Sequence, residues 1–218
     1  MSATSICANA AQIPIFCTGG IGGVHRDYVD SMDVSADLQE LARTPVAVVS
    51  SGVKSILDIE KTLEYLETMG VCVVTLEKNG STEFPAFFTS KSGQHSPFNC
   101  KTEKDVAQLI HTNLRTGLNS GLLIGVPIPP KHSADQTLID NAIQEALVQM
   151  KKLGIKGKKV TPYLLEKINR ITQGKSLKSN IALIKHNAQT SARIAVELAQ
   201  LNSSELASSD CNAEIKHG

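Results

Sequence analysis

Short apolar runs alternate with longer segments of helical periodicity along this chain. Four runs, rich in β-branched residues, predict buried strands: Ile13–Phe16, Val46–Ser50, Val71–Leu76 and Leu122–Val126. Six further segments predict helices: Ser35–Arg43, Ile56–Met69, Glu103–Gly117, Gln136–Leu153, Pro162–Thr172 and Leu177–Leu201. Strands that alternate with helices indicate an α/β fold, in a three-layer α/β/α arrangement with a parallel or mixed central sheet.

The pattern also predicts how the rest of the chain is organised. The first sixteen residues predict a helix that leads into the first strand, and residues 96–100 and 127–130 predict connecting loops. After Leu201 the composition becomes small and polar. We therefore expect one domain over residues 1–201 and a mobile polar tail over residues 202–218.

Composition and charge exclude several classes of function. The net charge is +1, aromatic residues make up 4% and tryptophan is absent, so nucleic acid is not an expected partner. No apolar stretch reaches membrane-spanning length, and no basic residue precedes Arg26, so neither a membrane partner nor a targeting signal is expected. The five cysteines show no metal-ligand spacing, which favours a reducing compartment. We expect a cytoplasmic protein.

Lys54 is the strongest candidate for chemistry. It ends the apolar run Val46–Val53, so an amine stands where a buried strand should finish. Desolvation disfavours the ammonium form, and a neutral lysine amine is a nucleophile towards a carbonyl or an anomeric carbon. The alternative is a strand-end lysine that extends into water.

A glycine-rich segment precedes this lysine by one strand-loop-helix unit. Residues 18–26 read Thr-Gly-Gly-Ile-Gly-Gly-Val-His-Arg, with four glycines in five residues. Such a run requires close backbone approach and can leave amide N–H groups free to receive an anion such as phosphate. It fits neither the dinucleotide-binding nor the Walker A pattern. A tight turn without a ligand therefore stays open as the alternative.

Six segments together resemble the pseudouridine-5′-phosphate glycosidase family in order and spacing: Thr18–Arg26, Asp33–Gln39, Ser51–Asp58, Glu64–Thr68, Phe84–Phe87 and Ser176–Asn180. The resemblance covers nearly the whole chain from Thr4 to about Leu201. It implies an α/β/α fold assembled as a homotrimer. It also implies an enzyme that reversibly converts pseudouridine 5′-phosphate and water into uracil and ribose 5-phosphate.

The resemblance further implies the site residues and the cofactor. Lys54 matches the lysine that forms a covalent adduct with ribose. Asp33 matches the carboxylate that holds a divalent metal, by family habit Mn²⁺, largely through water. The remaining matches are with substrate-contacting residues: His25, Ser35, Ala36, Asp37 and Asn180.

Each of these residues also has a structural interpretation. Asp33 could cap the helix that begins near Ser35, and Asp37 could favour its first turn through the helix dipole. His25 beside Arg26 could be a solvated pair, and Asn180 could be a turn residue.

The chain departs from the family pattern at its beginning. It starts inside the family sequence, and the preceding segment would carry the proton-donating carboxylate and a second, substrate-contacting lysine. Loss of a positioned acid typically lowers a rate by about a hundred- to ten-thousandfold. The alternative function is therefore a catalytically impaired, truncated isoform that acts as a binding or assembly partner of full-length subunits.

Overall fold

A parallel β-sheet forms the centre of the molecule. The computed structural model describes the backbone of residues 1–214 and the side chains of residues 1–157 and 159–204. Within this part of the chain the sheet has five strands, β1 (Ile15–Cys17), β2 (Ala47–Ser50), β3 (Cys72–Leu76), β4 (Phe98–Cys100) and β5 (Leu122–Gly125). Their order across the sheet is β1-β2-β5-β3-β4, and every neighbouring pair is parallel.

Helices follow or separate the strands: α1 (Ser2–Ala10), α2 (Tyr28–Ser31), α3 (Ala36–Arg43), α4 (Ile59–Thr68), α5 (Glu103–Arg115), α6 (Gln136–Lys152), α7 (Val160–Ile171) and α8 (Lys175–Glu214). Several begin at side-chain caps, which accept the free N–H groups of the first turn. Thr102 and Asp105 form a reciprocal capping box at the start of α5. Asp135 caps α6 by accepting from the Leu138 N–H at 2.7 Å.

The sheet buries apolar side chains on both faces, which is why its central strands are predominantly apolar. On one face Val48 and Leu123 pack with apolar residues of α3, α4, α6 and α7. On the other face Val49 and Ile124 pack with α5 and with the later part of α8. The predicted three-layer α/β/α arrangement is confirmed, with the sheet parallel rather than mixed.

The strand β4 was missed by the sequence pattern, which placed a connecting loop at residues 96–100. Phe98 and Asn99 pair with β3 at the edge of the sheet, and Phe98 is 64% exposed. A three-residue edge strand with an exposed side chain lacks the apolar run that marks buried strands. The strand predicted over residues 13–16 begins two residues later and ends one residue later in the structure, at β1.

The predicted domain boundary after Leu201 falls within α8, and the mobility of the tail stays a prediction. Residues 202–214 continue α8 in the structure. The side chains from residue 205 and the backbone of residues 215–218, where the rest of the predicted mobile tail falls, lie outside the described residues. Within the described part of the chain, no helix combines the length and apolar character needed to cross a membrane.

Candidate active site

Two loops at the carboxyl ends of β1 and β2 run side by side. We call residues 18–24 the glycine loop and residues 51–55 the lysine segment. The Ser51 N–H donates to the Gly19 carbonyl at 2.9 Å, and the Lys54 N–H donates to the Ile21 carbonyl at 3.1 Å. In the opposite direction the Ile21 N–H donates to the Gly52 carbonyl at 3.0 Å. These bonds fix the backbone of Lys54 beside the glycine loop, and its side chain is half-buried.

Glycine is required in these loops because the chain approaches itself closely. A Cβ atom on Gly22 would lie 2.1 Å from Ser35 Oγ, and one on Gly52 would lie 2.1 Å from the Pro85 carbonyl oxygen. Gly52 also has φ +84°, a conformation that L side chains rarely adopt. The close backbone approach that the sequence predicted therefore occurs between these glycines and other atoms of the same chain.

The N–H groups of the glycine loop are partly used within the chain. The Gly22 N–H donates to Asp37 Oδ2 at 2.8 Å, and the Val24 N–H donates to Thr62 Oγ1 at 2.9 Å. Together with the bonded N–H groups of Thr18 and Ile21, four amides of the loop already have acceptors. These four groups do not form the anion cradle that the glycine pattern suggested.

The segment Ser35–Asp37 lies against the glycine loop at the start of α3. Ser35 is the N-cap, because its Oγ accepts from the Asp37 N–H at 3.3 Å, so the alternative that Asp33 caps this helix is wrong. Ala36 is the first residue of α3 and is exposed. The buried Asp37 carboxylate bonds the Gly22 N–H and, through Oδ1 at 3.0 Å, the Ser2 N–H. Asp37 therefore holds the glycine loop, in addition to any contact it makes with a substrate.

His25 and Asp33 lie together beyond the glycine loop. The His25 N–H donates to the Asp33 carbonyl at 3.0 Å, and His25 Nε2 lies 3.8 Å from Asp33 Oδ2. The His25 side chain is only 14% exposed, so it is not the solvated partner of Arg26. Arg26 instead donates to the Ser55 carbonyl at 2.9 Å, which joins the end of the glycine loop to the lysine segment.

Asp58 ties the lysine segment to α4 and to the glycine loop. Its N–H donates to the Val24 carbonyl at 2.9 Å, and its Oδ1 accepts from the Lys61 N–H at 3.0 Å as the cap of α4. Burial alone would raise the pKa of the Asp58 carboxyl, but hydrogen bonds from the side chain and the backbone of Lys61, with the nearby positive charges, outweigh it. The pKa of Asp58 therefore lies below its ordinary value.

The helix α8 presents two asparagines to the glycine loop. Asn180 lies in its second turn, not in a turn between elements, and its Oδ1 would be 3.5 Å from a Cβ on Gly19. This oxygen is buried and has no hydrogen-bond partner among the described residues. Two helical turns later, Asn187 is completely buried and donates to the Thr18 carbonyl at 2.9 Å. It also accepts from Ser51 Oγ at 3.1 Å.

Ser55 is the second buried polar group of this region without a partner. The residue is 6% exposed, and within the described part of the chain its Oγ has no hydrogen-bond partner. A buried hydroxyl without a partner costs about 1–3 kcal/mol. Ser55 follows Lys54 directly, so the peptide that carries the candidate nucleophile also carries an unused hydrogen-bonding group.

The residues around Asp33 fit a loosely held divalent metal and do not fit a complete protein cage. Among the residues that the structure describes, no group of three or more His, Cys, Asp or Glu side chains could hold a metal ion. Asp33 does line an open cleft of about 670 Å³ together with His25, Asp27 and Asp30. Carboxylate oxygens in an open, hydrated cleft suit Mn²⁺ or Mg²⁺, which retain water ligands.

The glycine loop thus brings the sequence-predicted site residues to one place. Lys54, Asp37 and Asn180 all lie against it, and His25 with Asp33 lies at its end. Sequence reasoning missed Thr62 and Asn187, which bond the loop from helices 38 and 169 residues away in the sequence. An isolated buried Thr or Asn on a helix carries no sequence signal of such a contact.

The family of this chain follows from its similarity to known proteins. Residues 1–197 match the family model described as indigoidine synthase A like protein. The chain is 51% identical over 201 residues to the pseudouridine-5′-phosphate glycosidase of Caldanaerobacter subterraneus, covering 92% of this chain and 64% of that protein. The protein of the same name from Arabidopsis thaliana is 49% identical over 201 residues, with 92% of this chain and 60% of the relative covered.

A solved structure is similar over the same region. The crystal structure of the prealnumycin C-glycosynthase AlnA, in complex with ribulose 5-phosphate, superposes with a TM-score of 0.84 at 31% identity. The superposition covers 92% of this chain and 65% of that chain. This chain therefore spans between 60% and 65% of the length of these three proteins.

Proposed function

Because the chain belongs to the indigoidine synthase A like family, we propose that it acts in the reversible conversion of pseudouridine 5′-phosphate and water into uracil and ribose 5-phosphate. The curated relatives named pseudouridine-5′-phosphate glycosidase confirm the resemblance drawn from the sequence. The observation that carries the proposal is the position of Lys54, half-buried and bonded through its backbone to the glycine loop.

The bond to be broken explains why a lysine is needed. The base of pseudouridine is attached to the sugar through carbon, so no leaving heteroatom is available for the protonation that two carboxylates perform in ordinary glycosidases. A primary amine offers another route, because its lone pair can form a carbon–nitrogen double bond at C1′ as the base departs. The solved relative, a C-glycosynthase, holds a pentulose phosphate.

In the proposed sequence, the neutral amine of Lys54 attacks C1′, and the bond between C1′ and the ring oxygen breaks. The ring oxygen takes up a proton, and the nitrogen loses one. The nitrogen lone pair then forms an iminium with C1′ while the bond between C1′ and the uracil carbon breaks. That carbon keeps the electron pair and takes up a proton to give uracil. Water hydrolyses the iminium to ribose 5-phosphate and free Lys54.

The surrounding side chains supply hydrogen bonds to the substrate in this proposal. Asn180 offers a buried oxygen without a partner, and Ser55 offers a hydroxyl in the same condition. A substrate hydroxyl or base edge would satisfy both groups, which supports a polar ligand at the glycine loop. The predicted substrate contacts of His25, Ser35, Ala36 and Asp37 stay part of the proposal.

The proposal includes a divalent metal, Mn²⁺, at Asp33. The Asp33 carboxylate would hold the ion, largely through water, within the open cleft that Asp27 and Asp30 also line. When bound, such an ion offsets the negative charge of a sugar phosphate. His25 lies close enough to Asp33 to orient its carboxylate.

Assembly and location belong to the proposal as well. We propose a homotrimer, as the family resemblance implies, and a cytoplasmic location. The four cysteines whose side chains are described, Cys7, Cys17, Cys72 and Cys100, are free thiols, which supports a reducing compartment. The alternative role as a mere binding partner is not favoured, because the named relatives are glycosidases.

The direct test is synthesis in the reverse direction. The purified chain is incubated with ribose 5-phosphate, uracil and Mn²⁺, and pseudouridine 5′-phosphate is measured by chromatography and mass spectrometry. The matched control is Lys54→Arg, which keeps the positive charge but lacks a nucleophilic amine. Product from the parent and none from Lys54→Arg supports the proposal. A folded parent chain that makes no product, or a control that makes as much, contradicts it.

A further inference from the structure

The buried side chain of Asn187 connects the two loops that form the candidate active site. Its Nδ2 donates to the Thr18 carbonyl at 2.9 Å and approaches the Gly19 carbonyl at 3.4 Å. Its Oδ1 accepts from Ser51 Oγ at 3.1 Å. Thr18 and Gly19 follow β1, whereas Ser51 follows β2. One amide from α8 therefore bonds the exits of two neighbouring strands.

The chemistry of the site requires an amide at this position. The Thr18 carbonyl oxygen on one side needs a donor, and the Ser51 hydroxyl on the other side needs an acceptor. An amide supplies both without charge. A carboxylate has no proton to donate when ionised, and an alkyl side chain would leave buried oxygens without partners, at a cost of about 1–3 kcal/mol each.

The position of Lys54 depends on the same set of bonds. Ser51, the partner of Asn187, also donates its N–H to Gly19, and Lys54 lies three residues further along the same paired segment. The next bonds of that pairing join Ile21 to Gly52 and Lys54 to Ile21. A shift at Ser51 is therefore transmitted along a short, continuous backbone to the lysine. A misplacement of about 1 Å can lower a rate by about a hundredfold.

We propose that Asn187 is a positioning residue, which sets the spacing between the glycine loop and the lysine segment and so the reach of the Lys54 amine. This role rests on the proposed function, because it concerns the attack of that amine on a sugar carbon. The side-chain hydrogen bonds of Asn187 in the structure go to Thr18, Gly19 and Ser51, so its proposed effect on the amine is indirect. Asn187 differs from Asn180 because both the oxygen and the nitrogen of its side-chain amide are hydrogen-bonded within the chain. The Oδ1 of Asn180 has no partner among the described residues.

The test compares Asn187→Ala with the gentler Ser51→Ala, which removes only the hydroxyl bonded to Asn187. The control is Ser191→Ala, a buried position one turn further along α8 whose hydroxyl has no partner among the described residues. For each protein, borohydride trapping with ribose 5-phosphate gives the maximal rate of adduct formation and the half-saturating sugar concentration. Hydrogen–deuterium exchange then reports on the glycine loop (residues 18–24) and the lysine segment (residues 51–55).

A positioning role predicts a fall of about thirty- to a hundredfold in the maximal rate for Asn187→Ala, with the half-saturating concentration within about threefold of the parent. Exchange should rise in both loops and stay unchanged in β3 and β5. Ser51→Ala should lower the maximal rate by a smaller factor. The double variant should lose less activation free energy than the two single variants added together, because both single changes remove the same Ser51–Asn187 hydrogen bond. Ser191→Ala should match the parent.

Unchanged exchange in the two loops would overturn the proposal, and so would raised exchange with an unchanged maximal rate. Equal changes in rate and half-saturation, with exchange raised throughout the sheet, would show a general loss of structure and overturn it as well. A parent chain that forms no adduct would refute the proposed function separately. The exchange of the two loops would then decide alone whether Asn187 fixes their spacing.

Discussion

Asn187 and Asn180 lie seven residues apart on one helix and face the same loop, yet their surroundings are opposite. We call Thr18, Gly19, Ser51 and Asn187 the bonded cluster, because their polar groups meet one another. We call Lys54, Ser55 and Asn180 the open group. Among the described residues, the structure gives no hydrogen-bond partner for the side chain of any of the three.

The difference shows which part of the site holds its shape and which part awaits a ligand. Buried polar groups in proteins are almost always paired, so a fully paired cluster stabilises the loops before any substrate arrives. An unpaired buried oxygen such as Asn180 Oδ1 costs free energy until something donates to it. The bonded cluster should therefore govern stability and the placement of Lys54, and the open group should govern substrate binding and the chemical step itself.

The largest expected effect comes from the open group. Lys54→Ala should lower turnover by about a thousandfold or more, because the nucleophile is removed. The thermal midpoint should stay close to that of the parent, because no hydrogen bond of the side chain is lost. Steady-state assays with calorimetry measure both quantities. A folded Lys54→Ala protein that retains a tenth of the parent's activity would contradict the assignment of the chemical step to Lys54.

Gly52→Ala tests the backbone beside the bonded cluster. The added Cβ would meet the Pro85 carbonyl oxygen at 2.1 Å while φ is +84°, so we expect a loss of about 3 kcal/mol or more in the free energy of unfolding. Urea denaturation measures it.

Gly80→Ala is the matched control. Gly80 has nearly the same φ, +81°, but its nearest contact is the Lys101 side chain at 3.5 Å. The conformational cost alone should be about 1 kcal/mol. Equal losses for Gly52→Ala and Gly80→Ala would show that the close approach to Pro85 is not what matters.

A pair of asparagine substitutions sharpens the comparison most directly. Asn187→Ala should lower the free energy of unfolding by about 2–4 kcal/mol, because it leaves the Thr18 carbonyl oxygen and the buried Ser51 hydroxyl unpaired. Asn180→Ala removes an oxygen without a partner, so its unfolding free energy should change by less than about 1 kcal/mol. Asn180→Ala should instead raise the half-saturating substrate concentration about tenfold. A loss of stability in Asn180→Ala, together with a raised half-saturating concentration in a stable Asn187→Ala, would refute the division between the bonded cluster and the open group.

The smallest effect concerns pH and the cap of α4. The pKa of Asp58 is lowered in the folded state, so its contribution to stability is present above the ordinary pKa of an aspartate. That contribution is lost as the pH falls through the folded-state value. Asp58→Asn keeps a good cap and should cost less than about 1 kcal/mol at pH 7. Its stability should also fall less steeply than the parent's below about pH 4.

This prediction is checked by measuring the urea midpoint of the parent and of Asp58→Asn as a function of pH and comparing the two slopes. Asp105 gives a suitable control through Asp105→Asn, since that carboxylate lies in the exposed capping box of α5, away from the glycine loop. A parent and an Asp58→Asn variant with identical acid slopes would show that Asp58 contributes nothing to the pH dependence.

Much of the fold could be predicted from the sequence, because local pattern determines it. The apolar runs that became β2, β3 and β5 are buried on both faces, and such strands give a strong signal. The short edge strand β4, with Phe98 exposed, gives none. The predicted start of α4 at Ile56 was too early, because Asp58 is the residue that caps the helix.

The candidate site was predictable only in part. Position after a strand and family resemblance singled out Lys54 and Asp37, and the structure places both against the glycine loop. Nothing in the sequence indicated that Asp37 accepts from Gly22, or that Asn187 lies beneath Thr18. Such long-range contacts depend on how α3 and α8 pack on the sheet, which a single sequence does not specify.

The central claim is that the amine of Lys54 bonds covalently to the sugar. Its most direct test is to incubate the chain with ribose 5-phosphate and Mn²⁺, reduce with borohydride, digest the protein and locate the adduct by mass spectrometry. The account predicts a single reduced pentose phosphate adduct on Lys54, absent from Lys54→Arg. Label spread over exposed lysines such as Lys61, with Lys54 unmodified in a folded protein, would contradict it.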